Sequence, residues 1–396
     1  MAHHRGPLGV AVSGGGDSMA LLDLARDWAI GAGVAVHAVT FDHDLRQGSA
    51  EEAAFVGRIC ADFGISHHVL RWQRSAPPIS LLAEARAARY GAISAWAQDA
   101  GVTRVLLGHT RDDVAETFLM RLSRAAGVDG LAAMAPDFSR DGMCWGRPLL
   151  GVSREDLRHW LRIHGLPWVE DPSNDNPRFE RVRIRQALAG LDAMGLTREA
   201  IAHSAAAMAD ARDALQAVVA REWKIRVRLQ GGDLLIADAA DPIPDIERRL
   251  LLAALRIVGG AVWPPRHGGL ADLQARLAAG QRSHTLGGCL VTRKGGDLRI
   301  GREARAVAGL SCAPDGWWDG RWSIRGHVPK GAHLAALGAG ISLCPDWRAT
   351  GLPHASQLAG PALWLGDRLI AAPLAGFGPG FTAHIREGFA RLHFAH

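Results

Sequence analysis

The stretch Val10-Ala11-Val12-Ser13-Gly14-Gly15-Gly16-Asp17-Ser18 limits the fold more than any other part of the chain. Leu8 to Val12 reads as a short buried strand. Met19 to Ile30 then repeats apolar residues at helical spacing, with Leu21, Leu22, Ala25 and Trp28 on one side. Strand and helix are joined by glycines that lack a Cβ, so backbone N–H groups can close on an anion, and the helix N-terminus adds partial positive charge. A phosphate is the expected occupant. The loop has neither the Gly-Lys-Ser/Thr ending of a Walker A motif nor G-x-G-x-x-G spacing, which argues against γ-phosphoryl transfer and nicotinamide chemistry.

The alternation continues downstream. Val34 to Phe41 and Ser66 to Trp72 read as strands, and Ser49 with Glu52 forms a capping box for a helix running to about Phe63. Ser80 caps a further helix, Arg104 to Leu107 is a short strand, and Asp112 to Arg124 is helical. Ser153 caps a helix that runs to His164 and stops at Gly165 and Pro167. Strands alternating with helices predict an α/β fold, a doubly wound and mostly parallel sheet, over residues 1–190. An Ala-rich helical connector is expected over 191–230, from the periodicity of Thr197 to Arg228. A smaller α+β accessory domain follows over 231–308, with strands at Leu234 to Ile236, Cys289 to Arg293 and Leu298 to Ile300. Its helices are expected at Ile246 to Val258 and Leu270 to Ala279. Residues 309–396, rich in Gly, Pro and Trp, form a C-terminal accessory region of weak periodicity.

In an open parallel sheet, ligands bind at the carboxyl ends of strands. Two more segments fall there. Leu107-Gly108-His109-Thr110-Arg111-Asp112-Asp113-Val114-Ala115-Glu116-Thr117 places Asp112 and Asp113 four and three residues before Glu116, so these carboxylates share one helical face. Acidic residues in a first turn also complement the helix dipole, and the spacing alone fits capping, a metal or an ammonium equally well. Phe41-Asp42-His43-Asp44-Leu45-Arg46 ends the second strand.

With 48% hydrophobic and 21% charged residues in 396, the chain can build ordinary globular cores, and its length favours more than one. No apolar run is long enough to cross a bilayer and Met1 to Gly9 lacks a signal-peptide core, so a cytoplasmic protein without membrane contact is expected. The five cysteines (Cys60, Cys144, Cys289, Cys312, Cys344) never form a C-x-x-C pair, which argues against zinc ribbons, clusters and disulfide frameworks. A net charge of +5 is compatible with a polyanion such as RNA.

Ser13 to Ser18 resembles the pyrophosphate loop of the PP-loop ATP pyrophosphatases throughout. Within that superfamily the chain is similar to the tRNA(Ile)-lysidine synthetases, whose motifs occur here in order. After the loop come Asp42-His43-Asp44-Leu45-Arg46, Ala85-Arg86-Ala87-Ala88-Arg89-Tyr90, Gly108 to Thr117, and Arg147-Pro148-Leu149-Leu150. Glu170-Asp171-Pro172-Ser173-Asn174 follows, and then Arg181, Arg183 and Arg185. Beyond the first half the likeness is looser, in Thr285 to Cys289 with Arg302-Glu303 and in Trp318 to Trp322. Val182 stands where many members carry Asn, Thr110 where a second His is frequent, and the segment before the first strand is short.

The resemblance implies ligation of the ε-amine of free L-lysine to C2 of the wobble cytidine in tRNA(Ile) with a CAU anticodon. ATP would be consumed to AMP and pyrophosphate through an adenylated tRNA. It implies ATP and Mg²⁺ as cofactors, with Ser13, Gly14, Gly15, Gly16, Asp17, Ser18, Asp42, His43, Arg86 and His109 on the nucleotide. Asp17 and Asp113 would hold the metal, and Asp112 and Glu116 would steer the amine or act as base. Arg46, Arg89, Arg147, Arg181 and Arg185 would contact phosphates of the substrates. A homodimer is left open. The alternatives are another PP-loop tRNA-modifying enzyme such as a cytidine thiolase, against which the unpaired cysteines speak, and a nucleotide sensor without turnover. Trp317, Trp318 and Trp322 are more simply core residues than a stacking platform for bases.

Overall fold

Strand β1 (Leu8–Ala11) carries no polar side chain, and Leu8 and Val10 are wholly covered, so it can only be an inner strand. The computed structural model describes residues 4–43, 48–72, 81–170, 176–260 and 267–392, the side chains of 81–83 and 267 excepted. In it β1 lies parallel between β2 (Val36–Asp42) and β4 (Arg104–Leu107). The sheet also contains β3 (Ser66–Arg71), β5 (Asp137–Arg140) and β6 (Met143–Gly146), in the order β3-β2-β1-β4-β6-β5, with β5 alone antiparallel. The chain proceeds outward from β1 to β3 and returns to β4 on the other side. The order therefore reverses between β1 and β4, and the crevice beyond their carboxyl ends is the expected ligand position.

Both faces of the sheet are covered. On one, Leu8, Val10 and Leu106 meet Met19, Leu21 and Leu22 of α1 (Gly16–Ala32), Val56 and Cys60 of α2 (Ser49–Asp62), and Leu157 and Leu161 of α6 (Arg154–Ile163). On the other, Val39, Val105 and Leu107 meet Tyr90, Ile93, Trp96 and Ala97 of α3 (Leu81–Asp99), with Trp145 of β6. Alternate residues of β4 thus serve opposite faces, as a two-residue side-chain period requires. Helices α4 (Arg111–Leu122), α5 (Val128–Leu131) and α7 (Glu180–Asp192) complete this part. Ala115, Leu188 and Ile201 pack together, Ile201 coming from α8 (Arg198–Arg226).

Most predicted elements fall within a residue or two of those observed, and the doubly wound, mostly parallel sheet is present. Two details differ. Gly48, at φ 97°, takes the cap position of α2, so Ser49 is the first helical residue and no side-chain cap forms; the glycine reaches a left-handed conformation that a serine would strain to adopt. The hairpin β5–β6 lies outside the predicted strands. Its turn residues Asp141 (φ 51°) and Gly142 (φ 74°) both take positive φ, as a tight two-residue hairpin demands. Ser80 lies outside the described residues.

The chain divides into two compact units, residues to Asp213 and from Ala214 onward, with the boundary inside α8. The second unit pairs β7 (Val227–Gln230), β8 (Asp233–Ile236), β9 (Ser283–Leu286), β10 (Cys289–Lys294) and β11 (Asp297–Arg302) in the order β7-β8-β11-β10-β9. Helices α9 (Pro244–Gly259) and α10 (His267–Ala278) supply Leu250, Leu251, Leu255 and Leu273 to its core. A further four-stranded sheet and a two-stranded ribbon, Trp322–Arg325 with Thr382–Ile385, surround buried Trp318 and Trp322. Those two tryptophans are core residues. Arg321 beside them is held by Asp319, which also binds Arg302. Among the described residues no helix is long and apolar enough to cross a membrane.

Candidate active site

Beyond β1 the backbone turns through Gly14 (φ 87°) into α1. Ser18 locks the turn: its Oγ accepts from the Ser13 amide at 3.1 Å and donates to the Gly15 carbonyl at 2.9 Å. Gly15 occupies the cap position and no side chain caps the helix, so the Gly16 and Asp17 amides stand ready for an anion. The Val169 amide binds the Gly14 carbonyl at 2.9 Å, which ties the segment after α6 to the loop. On the other flank Gly108 lies directly against the backbone of Asp17 and Ser18, where any Cβ would come within 3.1 Å of the Asp17 carbonyl oxygen. Ser13, Gly15, Gly16, Asp17, Ser18, Gly108, His109 and Asp113 line one cleft of about 930 Å³ at the reversal point of the sheet. His43 and Arg89 line it too.

Across this cleft the carboxylates of α4 meet a set of arginines. Thr110 caps the helix, and Asp113 Oδ2 accepts from the Thr110 amide and hydroxyl, both at 2.9 Å. The capping reading of Asp113 therefore holds for one oxygen. Its other oxygen faces Arg154 and Arg181, each at 3.6 Å. Glu116, 1% exposed, accepts from Arg185 Nε at 2.6 Å and from Arg154 Nη1 at 3.2 Å. Asp112 turns elsewhere, accepting from the Arg154 amide at 2.8 Å and pairing with Arg198 at 3.2 Å. Arg154 Nε reaches Asp17 at 3.0 Å, so one guanidinium joins the phosphate loop to α4.

Charge states follow from these neighbours. Burial dominates at Asp17 and, with Asp113 and Asp112 nearby, raises its carboxyl above the ordinary range against the pull of Arg154. Burial also opposes the Asp113 charge, but Arg154, the Thr110 amide, His109 and Arg181 together hold that carboxyl low. His109 is pushed down to about 4, chiefly by burial and then by Arg147, Arg89 and Arg86, with Asp113 opposing. It is neutral at pH 7, and since Nδ1 accepts from Arg147 Nε at 3.2 Å, its proton sits on Nε2.

The described residues hold no group of three or more His, Cys, Asp or Glu arranged as a ready-made metal cage. Mg²⁺ does not need one, since it is commonly held by one or two carboxylates with substrate phosphates and water. Asp17 and Asp113, hard oxygen donors lining the same cleft, fit that pattern.

Other expected residues are dispersed. Arg86 lies by the Tyr90 hydroxyl at 3.4 Å, and Arg147 donates to His109 and, at 2.7 Å, to the Ala135 carbonyl while lying over Phe138. Neither lines the cleft, nor do Gly14, Asp42, Asp112, Glu116 and Arg181; Arg185 does. Arg46 and residues 171–174 lie outside the described residues. Val182, buried, stands on the cleft wall beside Arg185 and Gln186. His43 Nδ1 is buried with no hydrogen-bond partner among the described residues. Arg154, Arg158 and Glu170 are cleft residues that spacing does not reveal; Arg154 reads only as the residue after a serine cap.

A PP-loop domain model matches residues 3–191. The fold and the loop thus make the first half of the chain a PP-loop domain, which binds ATP. Along nearly its full length the chain is 48% identical to tRNA(Ile)-lysidine synthase of Ruegeria pomeroyi, covering 96% of this chain and 91% of that one. It is 40% identical to the protein of that name in Hyphomonas neptunium, over 73% and 79% of the two chains. For the protein of that name in Mesorhizobium japonicum the identity is 39%, over 83% and 75%. The chain belongs to the tRNA(Ile)-lysidine synthase family.

Proposed function

We propose that this protein joins the ε-amine of free lysine to C2 of the wobble cytidine in the isoleucine tRNA whose anticodon is CAU, in the cytoplasm, converting ATP to AMP and pyrophosphate. The observation that carries this reading is that an uncapped glycine loop and the Asp113 carboxylate of α4 line one cleft, with Glu116 reached from it through Arg154. A nucleotide and an amine can meet there.

In the first step the C2 oxygen of the cytidine attacks the α-phosphorus of ATP, the bond to the β-phosphate oxygen breaks, and pyrophosphate leaves. Amides of residues 14–17 receive the charge that develops on the departing group, with no reorganisation needed at that moment. Asp17 and Asp113 would hold Mg²⁺, which would supply further neutralisation of phosphate charge. In the second step lysine Nζ attacks C2, its proton passes to a carboxylate, and the C2–O bond breaks to release AMP. A carbonyl oxygen is a poor leaving group until it carries AMP, which is the reason for consuming ATP. Glu116 steers the amine, and Asp112 anchors α6 and α8 around it. His109, neutral with Nε2–H available, donates to a substrate oxygen. Arg89, Arg181 and Arg185 stand where substrate phosphates approach. Residues 309–396 contribute tRNA docking.

The test is incorporation of labelled lysine. Purified protein with ATP and Mg²⁺ should label the isoleucine tRNA carrying CAU and leave the same tRNA with uridine at the wobble position unlabelled. Equal labelling of both, or of neither, rejects the reading.

A further inference from the structure

Arg154 is the cation that the carboxylates share. Its three guanidinium nitrogens address three different acids: Nε to Asp17 at 3.0 Å, Nη1 to Glu116 at 3.2 Å and Nη2 to Asp113 at 3.6 Å. None of these contacts is bidentate, the geometry in which an arginine is held hardest. The backbone is anchored instead. Arg154 opens α6 after the Ser153 cap, where the Ser153 hydroxyl and Asp156 form a capping box, and its amide binds Asp112 at 2.8 Å. A fixed backbone carrying a long side chain on separate single contacts can release its charged end without disturbing the helix. Glu116, by contrast, keeps Arg185 through two nitrogens, at 2.6 and 3.4 Å.

Charge balance makes release necessary. Asp17, Asp112, Asp113 and Glu116 are already matched by Arg154, Arg181, Arg185 and Arg198. A cationic amine entering a filled set gains nothing until one resident cation withdraws. Arg154 is the resident that joins the phosphate loop to α4.

We propose that Arg154 is a displaceable placeholder, a positioning residue that occupies the amine position in the empty enzyme and couples the two halves of the site. The inference rests on the amine-steering role of Glu116 given above. Nucleotide with its metal competes for Asp17 and Asp113, and lysine competes for Glu116. Either ligand evicts the same guanidinium, so each lowers the cost of binding the other. An ammonium is compact and cannot span all three acids as a guanidinium does, so its arrival leaves Asp17 free.

The experiment is calorimetric titration of lysine into the full-length protein, with and without a non-cleavable α,β-methylene ATP analogue and Mg²⁺. Wild type, Arg154→Met and Arg154→Lys are compared, with circular dichroism confirming the fold of each. In wild type the analogue should tighten lysine binding on the order of 10-fold, the scale of typical site-to-site coupling. Arg154→Met should bind lysine more tightly than wild type when no analogue is present, and the analogue should then change its affinity by less than about twofold. If Arg154→Met fails to fold, Arg154→Lys carries the test, since it keeps the charge but cannot bridge the three acids, and its coupling should also fall. Weaker lysine binding in Arg154→Met with coupling preserved overturns the placeholder and makes Arg154 a fixed scaffold. Absence of lysine binding in wild type under both conditions overturns the amine-steering reading itself, a different and separable failure.

Discussion

Gly108→Ala tests whether the phosphate loop and the α4 loop are held at a fixed spacing. A Cβ at this position meets the Asp17 carbonyl oxygen at 3.1 Å, and the Asp17 carbonyl carbon and Ser18 Cα at 3.2 Å. All three are backbone atoms in the first turn of a buried helix, so no side chain can rotate away. Comfortable carbon contacts are about 3.5–4.0 Å, so the two loops must part by roughly half an ångström. Overpacking of this kind costs about 1–3 kcal/mol, which urea denaturation reads as a lower midpoint. The same displacement separates the nucleotide from the carboxylates. Misplacement by about 1 Å can cost on the order of 100-fold, so pyrophosphate release at saturating substrates should slow by roughly 10-fold. Gly91→Ala is the control: it sits in α3 with nothing within 4 Å of its added methyl and should be neutral, or stabilising by up to about 1 kcal/mol. A Gly108→Ala protein with wild-type midpoint and wild-type rate would show that the spacing argument is mistaken.

Asp17→Asn should reduce tRNA-dependent ATP/pyrophosphate exchange by at least about 100-fold, the scale of a lost electrostatic group at a reacting phosphate; undiminished exchange removes the metal assignment. Glu116→Gln keeps the shape of a buried side chain but loses its charge, and should raise the KM for lysine about 10-fold or more while leaving the KM for ATP within about twofold. His109 binds its proton only near pH 4 in the folded chain, against about 6.5 unfolded, so its contribution to stability is complete above pH 6.5 and is lost as the pH falls toward 4. Urea midpoints should show this decline, and His109→Asn should flatten it. Asp319→Ala leaves Arg302 and Arg321, both largely buried, without their shared carboxylate, and should destabilise the second unit by about 3–5 kcal/mol in thermal or urea unfolding.

The parallel sheet was legible because β1, β2 and β4 are apolar runs joined to helices with clear periodicity, and the phosphate loop because its glycines fall between a strand and a helix. The hairpin Asp137–Gly146 was less so. Its strands alternate around a short Asp-Gly turn but include charged edge residues that weaken the pattern, although Asp141-Gly142 is itself a hairpin signal. Sequence spacing put Asp112, Asp113 and Glu116 on one helix but not their separate duties. Those depend on Arg154, Arg181, Arg185 and Arg198, far along the chain, which only the fold brings in. Arg154 illustrates the limit: nothing in Ser153-Arg154-Glu155-Asp156 beyond a helix start marks it as the meeting point of three acids. Arg86 and Arg147 follow the same rule in reverse. Their motif positions suggest substrate contact, whereas the fold places them against Tyr90, His109 and Phe138.

Where ATP is cut distinguishes a loop that receives pyrophosphate from one that receives only a γ-phosphate. Protein incubated with ATP labelled in the α-phosphate, Mg²⁺, lysine and the CAU isoleucine tRNA should yield labelled AMP and unlabelled pyrophosphate, one of each per lysine attached. Labelled ADP with free phosphate, or lysine attachment without AMP, would contradict a loop that receives pyrophosphate.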